Sequence, residues 1–315
     1  MKGGRAETML FALLIDWLLG ELPTCCHPVV GMGRLIELAR RYAPRGDRRA
    51  QLAYGALISV GGAGMILALG SLLERAMRRL PRPLGLAAEA VALKTTLSVS
   101  RLSDAAHEVG AALEAHDLPA ARRLVAWHLV SRDTTNLSEE QVAAAAIESV
   151  AENTSDSAVA PLLFYAVGGL PAALAYRFVN TADAMLGYRD AEREWLGKVP
   201  ARLDDALNWL PARLSAAVIC VAAFLIGEDG RRAARIWRRD AGQTASPNAG
   251  HPMSAAAGAL GVQLEKVGHY RLGEGLRLPA PSDIRRSTRL MHTAVGLAAG
   301  LLALWLVSRG EQRGR

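Results

Sequence analysis

Residues 51–73, QLAYGALISVGGAGMILALGSLL, carry no charged side chain before Glu74. A helix of that length can cross a bilayer, which needs roughly 20 apolar residues. Gly61, Gly62 and Gly64 leave room for a second helix to approach closely. The competing reading, a buried helix of a soluble protein, fits the length poorly. Working outward, residues 157–179, 210–227 and 290–307 are further candidate spans. The last holds no Asp, Glu, Lys or Arg, and Trp305 sits near its end, as interfacial aromatics do. Residues 8–22 and 83–100 are weaker candidates, interrupted by Asp16 in one case and by Glu89 and Lys94 in the other. An acid such as Asp16 in an apolar helix is expensive and turns towards protein or water. Gly168-Gly169-Leu170-Pro171 breaks the 157–179 stretch at its middle, which admits a re-entrant pair of half-helices there. The expectation is an all-α, polytopic integral membrane protein with four to six membrane segments and helical or loop cytoplasmic regions.

Composition agrees. Of 315 residues, 51% are hydrophobic and 21% charged, with mean hydropathy +0.14. That is high for a soluble protein and low for a dense transporter, so membrane helices with sizeable polar loops are expected. One domain over 1–315 is the expected organisation. The net charge of +7 suits an anionic membrane face or anionic small substrates. Few aromatics accompany the basic clusters, which argues against nucleic acid as a partner. Cys25, Cys26 and Cys220 cannot make a disulfide framework. Residues 1–22 resemble a signal peptide but lack a cleavage site, so a retained helix is expected. The arginine excess in 23–50, 101–156 and 228–289 predicts that these loops lie in the cytoplasm. The chain contains no P-loop, no G-x-S-x-G elbow and no H-E-x-x-H.

Chemistry-bearing residues gather in three regions. In 138–156, SEEQVAAAAIESVAENTSD, Ser138 and Gln141 read as a capping box. The helix that follows places Glu148 and Glu152 one turn apart, with Asp156 continuing that face if the helix persists and Asn153 beside it. Stacked carboxylates repel, and Mg²⁺ would remove that cost, since it takes one or two carboxylates along with substrate phosphates. A solvated acidic face is the plain alternative. Arg132 and Asp133 sit just upstream, and Arg132 could hold a phosphate as a fork. In 180–213, Asn180, Asp183, Tyr188 and Arg189 cluster around Gly187, while Asp205 and Arg213 flank the next apolar stretch. Charges at a membrane edge are functional candidates, with capping and anchoring as the alternative. In 240–252, Asp240, Gln243, Ser246, Asn248 and His251 occupy a loop rich in Gly, Pro, Ser and Asn, whose backbone N–H groups could form an anion nest.

These blocks resemble the adenosylcobinamide-phosphate synthase family of cobalamin biosynthesis (CobD/CbiB). The resemblance rests on D-x-L-L-G-E-L-P and H-P-V-x-x-x-G-R-L-I in 16–36, and on S-R-D-T in 131–134. It continues through A-I-E-S-V-A-E-N-T-S-D-S-x-V-A-P-L in 146–162 and Y-R-x-V-N-T-A-D-A-M-L-G-Y in 176–188. It closes with A-R-L-D-D-x-L-N-W-L-P-A-R-L in 201–214 and D-A-G-Q-T-x-S-P-N-A-G-H-P-M in 240–253. Thr24-Cys25-Cys26 and Ser131 depart from what the family often carries.

The resemblance implies a multi-pass enzyme of the cell inner membrane that joins aminopropanol phosphate, or aminopropanol, to the free propionate carboxyl of adenosylcobyric acid. The product would be adenosylcobinamide phosphate, with ATP as co-substrate, Mg²⁺ as metal and no tightly bound prosthetic group. Glu148, Glu152 and Asp156 are the expected Mg²⁺ ligands. Those three, with Asn153, Asp183 and Asp240, are the expected catalytic set. Arg132, Asp133, Asn180, Tyr188, Arg189, Asp205, Arg213, Gln243, Ser246, Asn248 and His251 are the expected substrate contacts. Membrane lipids and other cobalamin-pathway enzymes are the expected partners, and the active site is expected to face the cytoplasm. A corrinoid transporter, or a structural membrane partner of corrinoid enzymes, is the alternative.

Overall fold

The structure, a computed structural model, describes residues 3–21, 27–187 and 194–312. In chain order the helices are α1 (Gly3–Leu19), α2 (Pro28–Arg41), α3 (Arg48–Ala56), α4 (Gly62–Met77), α5 (Arg82–Lys94), α6 (Val99–Glu114) and α7 (Leu118–His128). Then follow α8 (Glu139–Thr154), α9 (Ala160–Leu186), α10 (Lys198–Leu207), α11 (Trp209–Leu225), α12 (Gly230–Asp240) and α13 (Gly250–Leu260). A short hairpin, β1 (Leu264–Lys266) and β2 (Tyr270–Leu272), precedes α14 (Pro281–Gln312). The fold is therefore all-α. The hairpin escaped the sequence reading because each strand has only three residues, too few for an alternating pattern to emerge.

The chain divides into two compact units, Met1–Ser98 with Ala160–Asn208 and Leu301–Arg315, and Val99–Val159 with Trp209–Gly300. In the first unit, Asp47 caps α3 by accepting from the Arg49 N–H at 2.9 Å. A π-helical turn, Leu57–Gly61, joins α3 to α4, making one helical run, Arg48–Met77. Its most apolar stretch is only 17% buried within the protein, so Leu57, Val60, Leu67, Leu69 and Leu72 are left for lipid. The opposite side packs on α9. A Cβ on Gly62 would meet the Phe178 ring at 2.3 Å, and one on Gly70 would meet Pro171 Cα at 2.9 Å. The two approach points run in opposite senses along the helices, so α4 and α9 are antiparallel and in close contact. Gly169 (φ 75°, ψ −167°) breaks α9 where Gly-Gly-Leu-Pro predicts a break, and only glycine adopts that backbone easily.

Among the described residues, three helical runs are long and apolar enough to cross a membrane: Arg48–Met77, Glu139–Leu186 and Pro281–Arg309. α10 and α11, bent by 46° at their junction, give a fourth if the pair counts as one span. The candidates at 8–22 and 83–100 do not qualify. α1 has 17 residues, about 26 Å at 1.5 Å per residue, short of a hydrocarbon core of about 30 Å. The 83–100 stretch splits, because α5 ends at Lys94 and α6 begins at Val99.

The second unit buries alanine. Ala143–Ala146 of α8 and Ala255–Ala257 of α13 are almost wholly enclosed. α12 lies so close to α13 that a Cβ on Gly258 would sit 2.7 Å from Ala233 Cα. The Ser138/Gln141 capping box starts α8 as the sequence predicts. A second π-helical turn, Ser155–Val159, follows α8 and widens the ladder to i→i+5.

The tight α4–α9 contact makes Gly62→Ala a sharp test. Overpacking there should cost about 1–3 kcal/mol and lower the thermal midpoint in detergent. Phe178→Leu in the same chain should restore part of the loss. An unchanged midpoint in the single variant would show that the helices do not approach as described.

Candidate functional site

α8 presents Glu148 to the interior rather than to solvent; the residue is 5% exposed. A solvated acidic face does not describe it. Arg132 Nη2 donates to Glu148 Oε2 at 3.3 Å. The loop carrying Arg132 is pinned on both sides. Thr134 Oγ1 donates to the Arg122 carbonyl at 2.9 Å, Arg122 Nε donates to the Leu137 carbonyl at 2.7 Å, and Ser149 Oγ donates to the Leu129 carbonyl at 3.0 Å. Lys266 and Tyr270, opposite one another across the hairpin, both act on Glu148. Burial first, then Glu148 and Glu152, push the Tyr270 hydroxyl up, so it stays protonated and can donate. Glu148 Oε1 and Arg132 Nε are buried with no hydrogen-bond partner. A buried acceptor and a buried donor left open in one cluster are what a ligand-binding site requires.

Glu152 lies close enough to act electrostatically on Glu148. Asn153 is committed to its own helix, donating to the Ser149 carbonyl at 3.0 Å and accepting from Ser157 Oγ at 3.0 Å. Asp156 is the second residue of the π turn Ser155–Val159, one i+4 step beyond Glu152. Among the described residues, no group of three or more His, Cys, Asp or Glu is placed to hold a metal ion. The open Glu148 oxygen with Glu152 beside it fits a Mg²⁺ that draws its remaining ligands from substrate phosphates. Asp133 is exposed and turned inward on its own loop, accepting from Thr135 N–H and hydroxyl.

The 240–251 loop forms a second arrangement in the same unit. Asp240 is fully buried and its oxygens are spent. It accepts from Arg239 at 2.6 and 2.8 Å, from Gln243 Nε2 at 3.0 Å and from the Gly273 N–H at 2.7 Å. That geometry makes Asp240 and Gln243 the clasp of the loop. Ser246 Oγ accepts from the N–H groups of Asn248 and Ala249, and Arg213 Nη1 donates to Asn248 Oδ1 at 3.4 Å. Arg213 also stacks on Trp209 and donates to its carbonyl at 2.7 Å. Trp237 Nε1 donates to His251 Nδ1 at 2.9 Å. Burial, then nearby Arg213, holds the His251 pKa down, which favours the neutral ring that accepts this bond.

In the other unit, Asn180 and Asp183 lie on α9 and Asp205 on α10. A polar chain runs from Tyr176 through Asn208 and Asp204 to Asn180 and Arg177, with links of 2.8, 2.9, 3.2 and 3.0 Å. A Cβ on Gly187 would meet Asp183 Oδ1 at 2.2 Å. Asp205 is 3.9 Å from Arg202. Tyr188 and Arg189 lie outside the described residues, as do Cys25 and Cys26.

A model of the CobD/Cbib protein family matches residues 9–291. The chain belongs to the CobD/Cbib family. It is 42% identical over 285 residues to the cobalamin biosynthesis protein CobD of Dehalococcoides mccartyi, covering 90% of this chain and 92% of that one. It is 39% identical over 304 residues to the cobalamin biosynthesis protein CbiB of Salmonella typhimurium, covering 92% and 94%. Against CobD of Klebsiella pneumoniae subsp. pneumoniae the figure is 39% over 312 residues, covering 94% and 97%. No solved structure matches.

One charged group of this CobD/Cbib chain was not among the expected site residues. Lys94, 1% exposed, is 3.7 Å from Asp16 Oδ1 and 3.1 Å from Glu21 Oε1, and His27 Nε2 is 2.7 Å from the same Glu21 oxygen. The signal that could have found it is present: Asp16 and Lys94 each interrupt an apolar stretch, and opposite charges placed that way need one another. Burial acts to raise the Glu21 pKa, but hydrogen bonds from His27 and Lys94 outweigh it and bring it down to about 2.

A carboxyl depressed in the folded state stabilises the protein above its unfolded pKa, roughly 4.3, and loses that contribution as pH falls towards the folded value. The thermal midpoint should therefore drop between about pH 4.5 and pH 2. Glu21→Gln should lower the midpoint at neutral pH and flatten this acid limb. Parallel acid limbs in both proteins would remove Glu21 as a cause.

Proposed function

We propose that this chain works in cobalamin biosynthesis as a membrane enzyme that forms an amide bond. In this reading it joins aminopropanol phosphate, or aminopropanol, to the free propionate carboxyl of adenosylcobyric acid, using ATP and Mg²⁺. The family match over residues 9–291 supports the pathway. The observation that carries the chemistry is the pairing of half-buried Arg132 with buried Glu148, which leaves an enclosed oxygen and an enclosed N–H open and is faced by Lys266 and Tyr270.

A carboxylate must be activated before an amine can displace one of its oxygens, and phosphoryl transfer from ATP is one such activation. Positioned cations then stabilise the charge on the transferring phosphoryl group. Arg132 and Lys266 supply fixed positive charge, and Arg132 has an unspent N–H with which to bind a phosphate oxygen. Glu148 and Glu152 would hold Mg²⁺ between protein and phosphates, and the ion would neutralise phosphate charge. Tyr270, protonated, would donate to an oxygen in the same cluster. The 240–251 loop, with Ser246, Asn248, His251 and Arg213, is the proposed seat for the amino-alcohol phosphate. Its clasp at Asp240 fixes the backbone that would cradle the anion. The cytoplasmic face is the proposed side for both groups, since ATP and the corrinoid are cytosolic and the flanking loops are rich in Arg.

The deciding experiment is turnover by the detergent-purified chain with adenosylcobyric acid, aminopropanol phosphate and Mg-ATP, read as amide product by mass. No product under conditions where a related synthase turns over would favour a transporter or a structural partner. Glu148→Gln and Glu152→Gln should each lose at least about tenfold in kcat/KM, about 1.4 kcal/mol of barrier, with normal expression. Arg132→Lys should raise KM for aminopropanol phosphate or ATP, because a point charge does not replace a planar fork. Wild-type kinetics and Mg²⁺ dependence in all three would move the chemistry elsewhere.

Sidedness is tested separately. Cysteines at Ser138 and Ser246, in a chain with Cys25, Cys26 and Cys220 replaced, should resist an impermeant thiol reagent in right-side-out vesicles and react in inverted ones. The opposite pattern would reverse the orientation.

A further inference from the structure

A cavity of about 650 Å³ opens in the first unit, and none of its lining residues belongs to the amide-forming set. It is lined by Arg5 and Thr8 of α1, by Met77 and Arg78 at the end of α4, and by Arg82 and Glu89 of α5. Drug-sized ligands occupy pockets of about 300–1,000 Å³, so the space is ample for a small organic anion.

Three arginines and one carboxylate line it. That carboxylate, Glu89, accepts from the Tyr165 hydroxyl at 2.7 Å. The arginines keep much of their donor capacity. Arg5 is 3.9 Å from Glu74, beyond a hydrogen bond, and Arg82 reaches Glu7 only at 3.5 Å. Arg78 pairs with Glu74 at 3.1 Å, one turn earlier on the helix. Glu74 is buried behind the arginines, where it aligns two guanidinium groups rather than neutralising three. The Gly169 break belongs to the same construction: a Cβ there would lie 2.8 Å from Arg5 Nη2 and 2.7 Å from Glu74 Oε1. The absent side chain is what lets the guanidinium lie against the α9 backbone.

A helix N-terminus opens at the same place. α5 begins at Arg82, has no acidic residue in its first turn, and Pro81 leaves it without a side-chain cap. Its free N–H groups and partial positive charge add to the arginines. The location sets the depth. Arg78 directly follows Met77, the last residue of a run long enough to cross a bilayer, and in a bilayer crossed by that run the cavity would stand at the level of the headgroups.

We propose that this cavity binds a phosphate-bearing group, gripped by Arg5, Arg78 and Arg82 and received by the N-terminus of α5. A phosphate ester matches the fork geometry of several arginines better than a lone carboxylate does. The same chemistry is offered by the headgroup of an anionic phospholipid and by a soluble phosphate ester. The proposal does not depend on the amide-forming reading, since none of its residues belongs to that machinery.

The test uses the full chain in detergent and in phosphatidylcholine nanodiscs, with the thermal midpoint followed against added phosphatidylglycerol and, separately, against inorganic pyrophosphate. The wild-type midpoint should rise with at least one of them. The Arg5→Gln/Arg78→Gln chain should need about tenfold more of that ligand for the same rise, as expected when charged hydrogen bonds are lost. Arg82, 80% exposed, carries little of the fold, so Arg82→Gln keeps the test alive if the double variant does not fold; its shift should be smaller than wild type. Arg231→Gln, on the exposed face of α12, should respond as wild type does. A response confined to phosphatidylglycerol assigns the site to a headgroup, and one confined to pyrophosphate assigns it to a soluble phosphate ester. No rise with either, or equal rises in wild type and the Arg5, Arg78 and Arg82 variants, overturns the proposal.

Discussion

A carboxylate buried among helices must be matched by a cation or by donors, and that requirement organises both units. Among the described residues the buried acids are Asp16, Glu74, Glu148, Asp204, Asp240 and Asp283. Asp16 has Lys94, Glu74 has Arg78, Asp204 has the amides of Asn180 and Asn208, and Asp283 has Arg277 and Arg286. Losing one partner of a pair buried on both sides, as Asp16 and Lys94 are, costs about 3–5 kcal/mol, because the remaining charge is stranded in a medium that cannot solvate it. Where the partners stand on different helices, as in Asp16 with Lys94 and Asp204 with Asn180, they fix a register that apolar packing alone leaves open.

The same requirement separates structural acids from candidate working ones. Asp240 and Glu148 are both buried, and both sit in blocks that carry the family resemblance. Asp240 has every oxygen occupied by donors from its own loop and from Gly273. Glu148 has one oxygen weakly held by Arg132 and one left open. Burial alone does not distinguish the two; the unfilled position does.

How much of this is legible in the sequence depends on the range of the signal. The spans at 51–73, 157–179 and 290–307 are legible because length and the absence of charge act locally. The capping box at Ser138 and the break at Gly169 are likewise local. The partner of Glu148 is not, since Tyr270 and Lys266 lie more than a hundred residues downstream on a hairpin with no pattern of its own. Asp156 illustrates a subtler limit. Its spacing from Glu152 is helical, but the α ladder gives way to a π turn at Ser155, and a spacing rule of 3.6 residues per turn does not foresee that change. Asp16 and Lys94 show the converse: each is conspicuous alone, and only the fold reveals that they are one feature.

The π turn at Leu57–Gly61 bears on how this chain can change length. A π turn holds one residue more than the α-helical ladder around it. Deleting any single residue from 57–61 would let the ladder close as α-helix, and because the π turn and the α turn that replaces it sweep about the same rotation, α4 would keep its facing. Gly62 would still meet Phe178, and Gly70 would still meet Pro171. Single-residue gaps should therefore be tolerated in this segment in functional descendants, whereas the same gap inside α4 would rotate everything after it by about 100° and turn lipid-facing side chains into the seam.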